Sequence, residues 1–252
     1  MGSLTGKTAV VLGASGASNF GTAIARRLAA EGANVVVSGR RKEPLDKLAA
    51  EIGGLACPCD ITDEAQIEKL FNAASESYGR VDIAVNSSGT FTPVMIADLN
   101  ADAIRPTLEV SFIGTLLFFK HAAAAMTEGG SVISISSLTA RLPGPGMSPY
   151  SGARAGIDFA MKIAAVEYAE QKIRFNTIAA GLIETDMTGG LFSMEGVVDK
   201  YVSETPAGRM GTIDDMAEAA LFLGDDNKSG YINGQVLDLS GGQQMGHLPR
   251  LG

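Results

Sequence analysis

Cysteine is scarce: only Cys57 and Cys59 occur among 252 residues. Two thiols this close on one strand are expected to turn to opposite faces and stay unbridged, which points to a reduced, cytoplasmic protein. Long basic runs are missing as well, and the formal net charge is -8. Both argue against a nucleic-acid surface, which needs a clustered positive footprint. No charged, apolar, small-residue leader opens the chain, so no secretory signal is expected. The most apolar run, Phe112 to Phe119, falls far short of the roughly 20 residues that a membrane span needs. Repeats, low-complexity tracts and linkers are absent too. What remains is a chain with 46% apolar residues, enough for one α/β domain over 1–252, since such folds often run to roughly 250 residues undivided.

The chain alternates short β-branched runs with amphipathic ones. Thr8 to Gly13 reads as a buried strand, followed by a loop of small residues to Gly21 and a helix from Thr22. Small residues let backbone amides approach a pyrophosphate, and the helix amino end favours its charge. Asn34 to Ser38 is a second strand, ending in Gly39, Arg40, Arg41 and Lys42. An acid at this end would accept from the ribose hydroxyl of NAD, whereas arginine suits the 2'-phosphate of NADP. Arg40 without an acid favours NADP(H), with NAD(H) as the alternative. Leu55 to Cys59 is a third strand, followed by Asp60, Ile61 and a helix capped by Thr62. Val81 to Asn86 is a fourth, running into Ser87, Ser88 and Gly89. Ala101 to Met126 reads as a long helix, apolar all round beyond Glu109, which calls for cover from a second subunit. Ile173 to Ala180 is a further strand. A glycine-interrupted apolar span, 186–205, reads as a substrate lid. A helix over Asp214 to Leu223, a last strand over Gln235 to Leu239 and a tail from Gly241 complete the chain.

The chemistry concentrates between Ser131 and Arg154. Val132, Ile133 and Ile135 make a buried parallel strand that ends in Ser136 and Ser137, on the sheet edge where ligands bind. Pro149 suits the first turn of a helix. Tyr150 and Arg154 then lie four apart on one face, where a cation can favour a phenolate. A hydroxyl, a phenol and a fixed cation meet there.

Together these stretches resemble the short-chain dehydrogenase/reductase family over nearly the whole chain. The first turn, with Gly13, Ser15, Asn19, Phe20 and Gly21, is similar to the family's glycine loop. Asp60 and Ile61 fall at its adenine contact, Asn86 to Gly89 resembles its Asn-Asn-Ala-Gly segment, and Ser137 and Tyr150 stand thirteen apart like its catalytic serine and tyrosine. Asn176 to Met187 resembles its run for the nicotinamide amide, which implies Ile183 and Thr185 as contacts. The resemblance implies a Rossmann-type, doubly wound, mainly parallel seven-stranded sheet and a homotetramer. It also implies reversible hydride transfer between a nicotinamide and a carbonyl or secondary alcohol, with no metal. Phe91, Met95, Leu182, Met187 and Phe192 would line an apolar substrate site. Three departures stand out. The loop between Gly13 and Gly21 is two residues longer than usual, as in the enoyl-reductase branch, yet position 157 is Ile157 where that branch has its lysine. Arg154 replaces the catalytic lysine. Ser111 replaces the catalytic asparagine. A cofactor-binding sensor or inactive partner subunit, and a C=C or C=N reductase, are the competing expectations.

Overall fold

The computed structural model describes residues 2–245. Seven strands, β1 (Thr8–Leu12), β2 (Asn34–Gly39), β3 (Leu55–Pro58), β4 (Ile83–Asn86), β5 (Gly130–Ser137), β6 (Ile173–Ala180) and β7 (Val236–Leu239), build one sheet in the order β3-β2-β1-β4-β5-β6-β7. Every pairing is parallel. Parallel strands are covered on both faces, so they need apolar side chains at nearly every position. β1 is buried at all five. Alternate residues face opposite layers. Val11, Val35, Ile133 and Ile178 pack against α1 (Phe20–Ala30), α2 (Lys42–Ile52) and α9 (Ile213–Gly224). Val10, Val36, Val132 and Phe175 pack against α3 (Glu64–Tyr78), α5 (Gly114–Ala125) and α6 (Ser148–Glu167).

The strand order reverses at β1, and the crevice between the ends of β1 and β4 is the topological switch point where such sheets take ligands. Asn19 caps α1, its Oδ1 accepting from Thr22 N at 2.8 Å. Asp63, not Thr62, caps α3, because Thr62 is held by Asp60 Oδ1 through both its amide and its hydroxyl. Cys57 and Cys59 are free and belong to one buried cluster. The expectation of opposite faces fails because residues two apart on an extended chain point the same way.

The long helix is not uniform. It runs as α4 (Ala101–Leu108), a π-helical turn Glu109–Ile113 and α5. By length and composition Ala101–Ala125 could cross a bilayer, more than its most apolar run implied. Phe118, Phe119 and Ala122 pack instead into the layer beneath the sheet. Its cover is one-sided: Ile113 and Leu116 remain exposed. The expected irregular lid contains two short helices, α7 (Gly189–Phe192) and α8 (Val197–Glu204), neither with a buried residue. α9 opens with a capping box between Thr212 and Asp215, and α10 (Asp226–Ser229) follows it. Of the expected tail, Gln243–Met245 forms a 3-10 turn and the part beyond 245 lies outside the described residues.

Candidate active site

The expected residues converge on the carboxyl edge of the sheet. The loop after β1 has no room for a side chain at its glycines. A Cβ on Gly13, whose φ is 93°, would lie 2.5 Å from Ser87 Oγ, and one on Gly21 would lie 2.6 Å from Gly13 O. Backbone therefore lines this cradle, and the amides of Phe20 and Gly21 open α1 beside it. That composition fits the pyrophosphate of a dinucleotide.

Arg154 is 3% exposed. Its Nη1 donates to Ile135 O at 2.9 Å and its Nη2 to Ser88 O at 3.1 Å, while Nε is buried without a partner. The guanidinium carbon stands 5.2 Å from the centroid of the Tyr150 ring, and Phe91 meets that ring edge-on at 5.4 Å. Arg154 and Tyr150 therefore meet on the face where their four-residue spacing places them. Gly89 presses on the same group: a Cβ there would overlap Arg154 Nη2, with Met187 Cε 3.9 Å away. Ser137 Oγ accepts from Thr139 N at 3.2 Å and from Thr139 Oγ1 at 3.0 Å. Both bonds use oxygen lone pairs, so neither uses the Ser137 proton.

Ser111 lies on the π-helical turn, fully buried, with its hydroxyl unpaired. Its carbonyl accepts from Thr115 Oγ1, and that oxygen accepts from Asn86 Nδ2 at 3.0 Å. Asn86 Oδ1 in turn receives Ser88 N and Ser88 Oγ. Asn86 is thus spent on scaffolding: it holds the loop whose carbonyl binds Arg154. Thr115 and Ser88 carry this chain of bonds, and nothing in their spacing singles them out. Asp158, one turn beyond Arg154, escapes notice for the same reason. It is buried, takes a bond from Thr177 Oγ1 at 2.9 Å, and burial pushes its carboxyl above the usual range.

At the adenosine end, Arg40 is exposed while its neighbour Arg41, which the sequence pattern did not select, donates to Ser15 O at 2.6 Å. A Cβ on Gly39 would lie 2.8 Å from Ser15 Oγ, so a side chain there would have to displace that hydroxyl. Asp60 is tied to Thr62, and Ile61 is buried beside Gly114. Ile183 is buried and bridged to Gly211, and Thr185 Oγ1 lies 3.1 Å from Thr188 Oγ1. Of the expected substrate residues, Phe91 packs on Tyr150, and Met187 lies near Gly89. Leu182 lines a small cleft with Met210 and Leu239. Met95, largely exposed, and Phe192, in α7, sit on the flanking segments.

Residues 13–244 match the model of a family described as enoyl-(acyl carrier protein) reductase. Carbonyl reductase family member 4 from Xenopus tropicalis is 34% identical over 233 residues, which cover 91% of this chain and 95% of that protein. Among solved structures, a short-chain type dehydrogenase/reductase from Mycobacterium ulcerans superposes with a TM-score of 0.91 at 30% identity, covering 98% of this chain and 92% of its own. A gluconate 5-dehydrogenase from Burkholderia cenocepacia, in complex with NADP and tartrate, has a TM-score of 0.90 at 26% identity and covers 96% of each chain.

Proposed function

The chain belongs to the short-chain dehydrogenase/reductase family and is an oxidoreductase, and from that premise we propose that it interconverts a carbonyl and a secondary alcohol with NADP(H). The observation that carries this reading is the buried guanidinium stacked on Tyr150 and bonded to Ile135 O, on the strand that ends in Ser137, whose proton is not used by either of its bonds to Thr139. When bound, the nicotinamide supplies or accepts the hydride. Tyr150 gives its proton to the carbonyl oxygen. Ser137 donates to the same oxygen as negative charge develops on it. Arg154 holds a permanent charge beside the phenol and, unlike lysine, moves no proton itself. Two of its five N–H groups are used on carbonyls and Nε is buried, so a ribose hydroxyl would be served by a second hydrogen on Nη1 or Nη2.

Three further observations support the finer assignments. Ile157 is fully buried in the core, so no cation stands seven residues after Tyr150, and this favours carbonyl over C=C reduction. Arg40 and Arg41 follow Gly39 at the end of β2, where no acid is present to take a ribose hydroxyl, which favours NADP(H) over NAD(H). Met187, Leu191 and Met194 on the lid are exposed apolar residues, in keeping with a largely apolar substrate. The reading extends to a cytoplasmic homotetramer. Phe159, Ile163 and Val166 form one exposed stripe of α6, 66%, 48% and 79% accessible, alongside Ile113 and Leu116 of the long helix. A stripe of this size on one face is suited to a second copy.

A second reading is a nucleotide-binding partner subunit without turnover. It is favoured by Arg154 spending both Nη groups on backbone carbonyls. One experiment separates the two: absorbance of NADPH and NADH followed with purified protein and a panel of ketones, enones and alcohols. Ketone-dependent oxidation of NADPH, lost in Tyr150→Phe, is the expected result. Nucleotide binding with no turnover on any compound would favour the partner subunit, and turnover confined to enones would overturn the carbonyl assignment.

A further inference from the structure

The loop between Gly13 and Gly21 reaches across to the lid. Ser18 N donates to the Asp186 carboxylate, at 3.2 Å to Oδ1 and 3.4 Å to Oδ2, and Asp186 N donates back to Ser18 O at 2.9 Å. These residues are 168 positions apart and both are exposed. Each stands on a firm base. Ser18 precedes Asn19, the cap of α1, and Asp186 follows Thr185, which is buried and tied to Thr188. Gly16 is shaped to the arrangement, since a Cβ there would overlap both the Asn19 amide and the Asp186 carboxylate. The glycine loop is the cradle that fits a pyrophosphate, and the family resemblance implies Ile183 and Thr185 as nicotinamide contacts, so the bond joins the two segments that the proposed function gives to the nucleotide.

We propose that Ser18 and Asp186 form a clasp that closes the nucleotide cleft and controls how fast the nucleotide leaves. The clasp is made of exposed hydrogen bonds for which water competes, so it opens readily, as segments with solvent-exposed bonds do. It acts on exchange and leaves the chemistry at Tyr150 untouched. The proposal rests on the nucleotide-binding reading, and the test below separates the two.

Stopped-flow release of bound NADPH, followed by its fluorescence, would be measured for wild type, Asp186→Ala and Asp186→Asn. Amide hydrogen exchange across residues 183–204 would be measured on the same proteins without nucleotide. Losing a bridge of this kind should speed release by about fivefold to tenfold in Asp186→Ala. The lid amides should exchange faster by a similar factor in the nucleotide-free protein. Asp186→Asn keeps an acceptor for Ser18 N and should stay close to wild type in both measurements. Unchanged release with unchanged exchange in Asp186→Ala would overturn the clasp. Slower release would also overturn it, because the carboxylate would then be competing with the nucleotide for the Ser18 amide. Failure of the wild type to bind either nucleotide at equilibrium would overturn the functional reading itself, and the clasp's role in exchange with it.

Discussion

Arg154→Met should cost stability and nucleotide affinity together, and the size of the first effect follows from the bonds. The guanidinium supplies two charge-assisted hydrogen bonds to carbonyls, Ile135 O in the buried sheet and Ser88 O in the partly buried loop. Bonds to charged groups contribute roughly 1.5–3 kcal/mol each. The stacking on Tyr150 adds about 0.5–1 kcal/mol. Against this, methionine needs no desolvation, and replacing a buried charge by an apolar chain recovers part of the loss. A net destabilisation of about 2–4 kcal/mol results, a large part of the 5–15 kcal/mol typical of a folded chain. At roughly 2–4 °C per kcal/mol for a chain of this length, the unfolding midpoint should fall by on the order of 10 °C. Arg154→Lys keeps a cation that can reach one carbonyl, so it should lose less than half as much and retain substantial turnover. Tyr150→Phe keeps the ring beneath the guanidinium and against Phe91. It should bind NADPH almost normally while turnover drops by about 10²- to 10⁴-fold, the usual share of a positioned acid. Thermal unfolding, equilibrium titration with NADPH and steady-state rates on the three variants supply the comparison. An Arg154→Met protein with wild-type midpoint and wild-type affinity would refute the reasoning, because neither the carbonyl bonds nor the charge would then matter.

Other expectations are narrower. Gly89→Ala places a methyl where Arg154 Nη2 lies, so it should reproduce the Arg154→Met losses of stability and nucleotide affinity without touching a charged residue; an alanine variant with a normal midpoint and normal affinity would show that the loop yields instead. Asp158 has its folded value raised above 3.8 by burial, with the Ser136 and Thr177 hydroxyls and the Arg141 and Arg154 charges opposing the rise. The folded state therefore holds that proton more tightly than the unfolded chain. Its contribution to stability is present at low pH and is lost as pH rises from the ordinary Asp value through the raised one. Asp158→Asn should flatten that part of the stability profile and be neutral or stabilising at pH 7, measured by denaturant midpoints from pH 4 to 7; a destabilised variant at pH 7 would mean that the ionised carboxylate supports the two arginines. Phe159→Asp, on the exposed stripe of α6, should shift sedimentation toward smaller species if two copies meet there, whereas unchanged assembly would place the interface elsewhere.

Much of the fold is local information. The unbroken apolar run Ala9, Val10, Val11 and Leu12 in β1 announces a strand buried on both faces, and the order of strand, glycine turn and helix announces the layered sheet. The four-residue spacing of Tyr150 and Arg154 put them on one helix face, and the carbonyls that hold the guanidinium set it over the ring. Boundaries were legible to within one or two residues. The cap of α3 was misplaced because Asp60 competes for Thr62, a contest between neighbours that spacing does not rank. The π-helical turn at Ser111 likewise leaves no mark in the apolar pattern around it. Only the tertiary structure decided what the polar groups do. Asn86 turns inward to Thr115, Arg154 is held by carbonyls from two different strand ends, Asp158 finds Thr177, and Asp186 finds Ser18. Each of these bonds joins separate segments of the chain, and a hydrogen bond depends on sub-ångström placement that periodicity does not encode. Apolar patterning is averaged over many contacts and survives small shifts; the partner of a single donor is set by where the folded chain brings one acceptor.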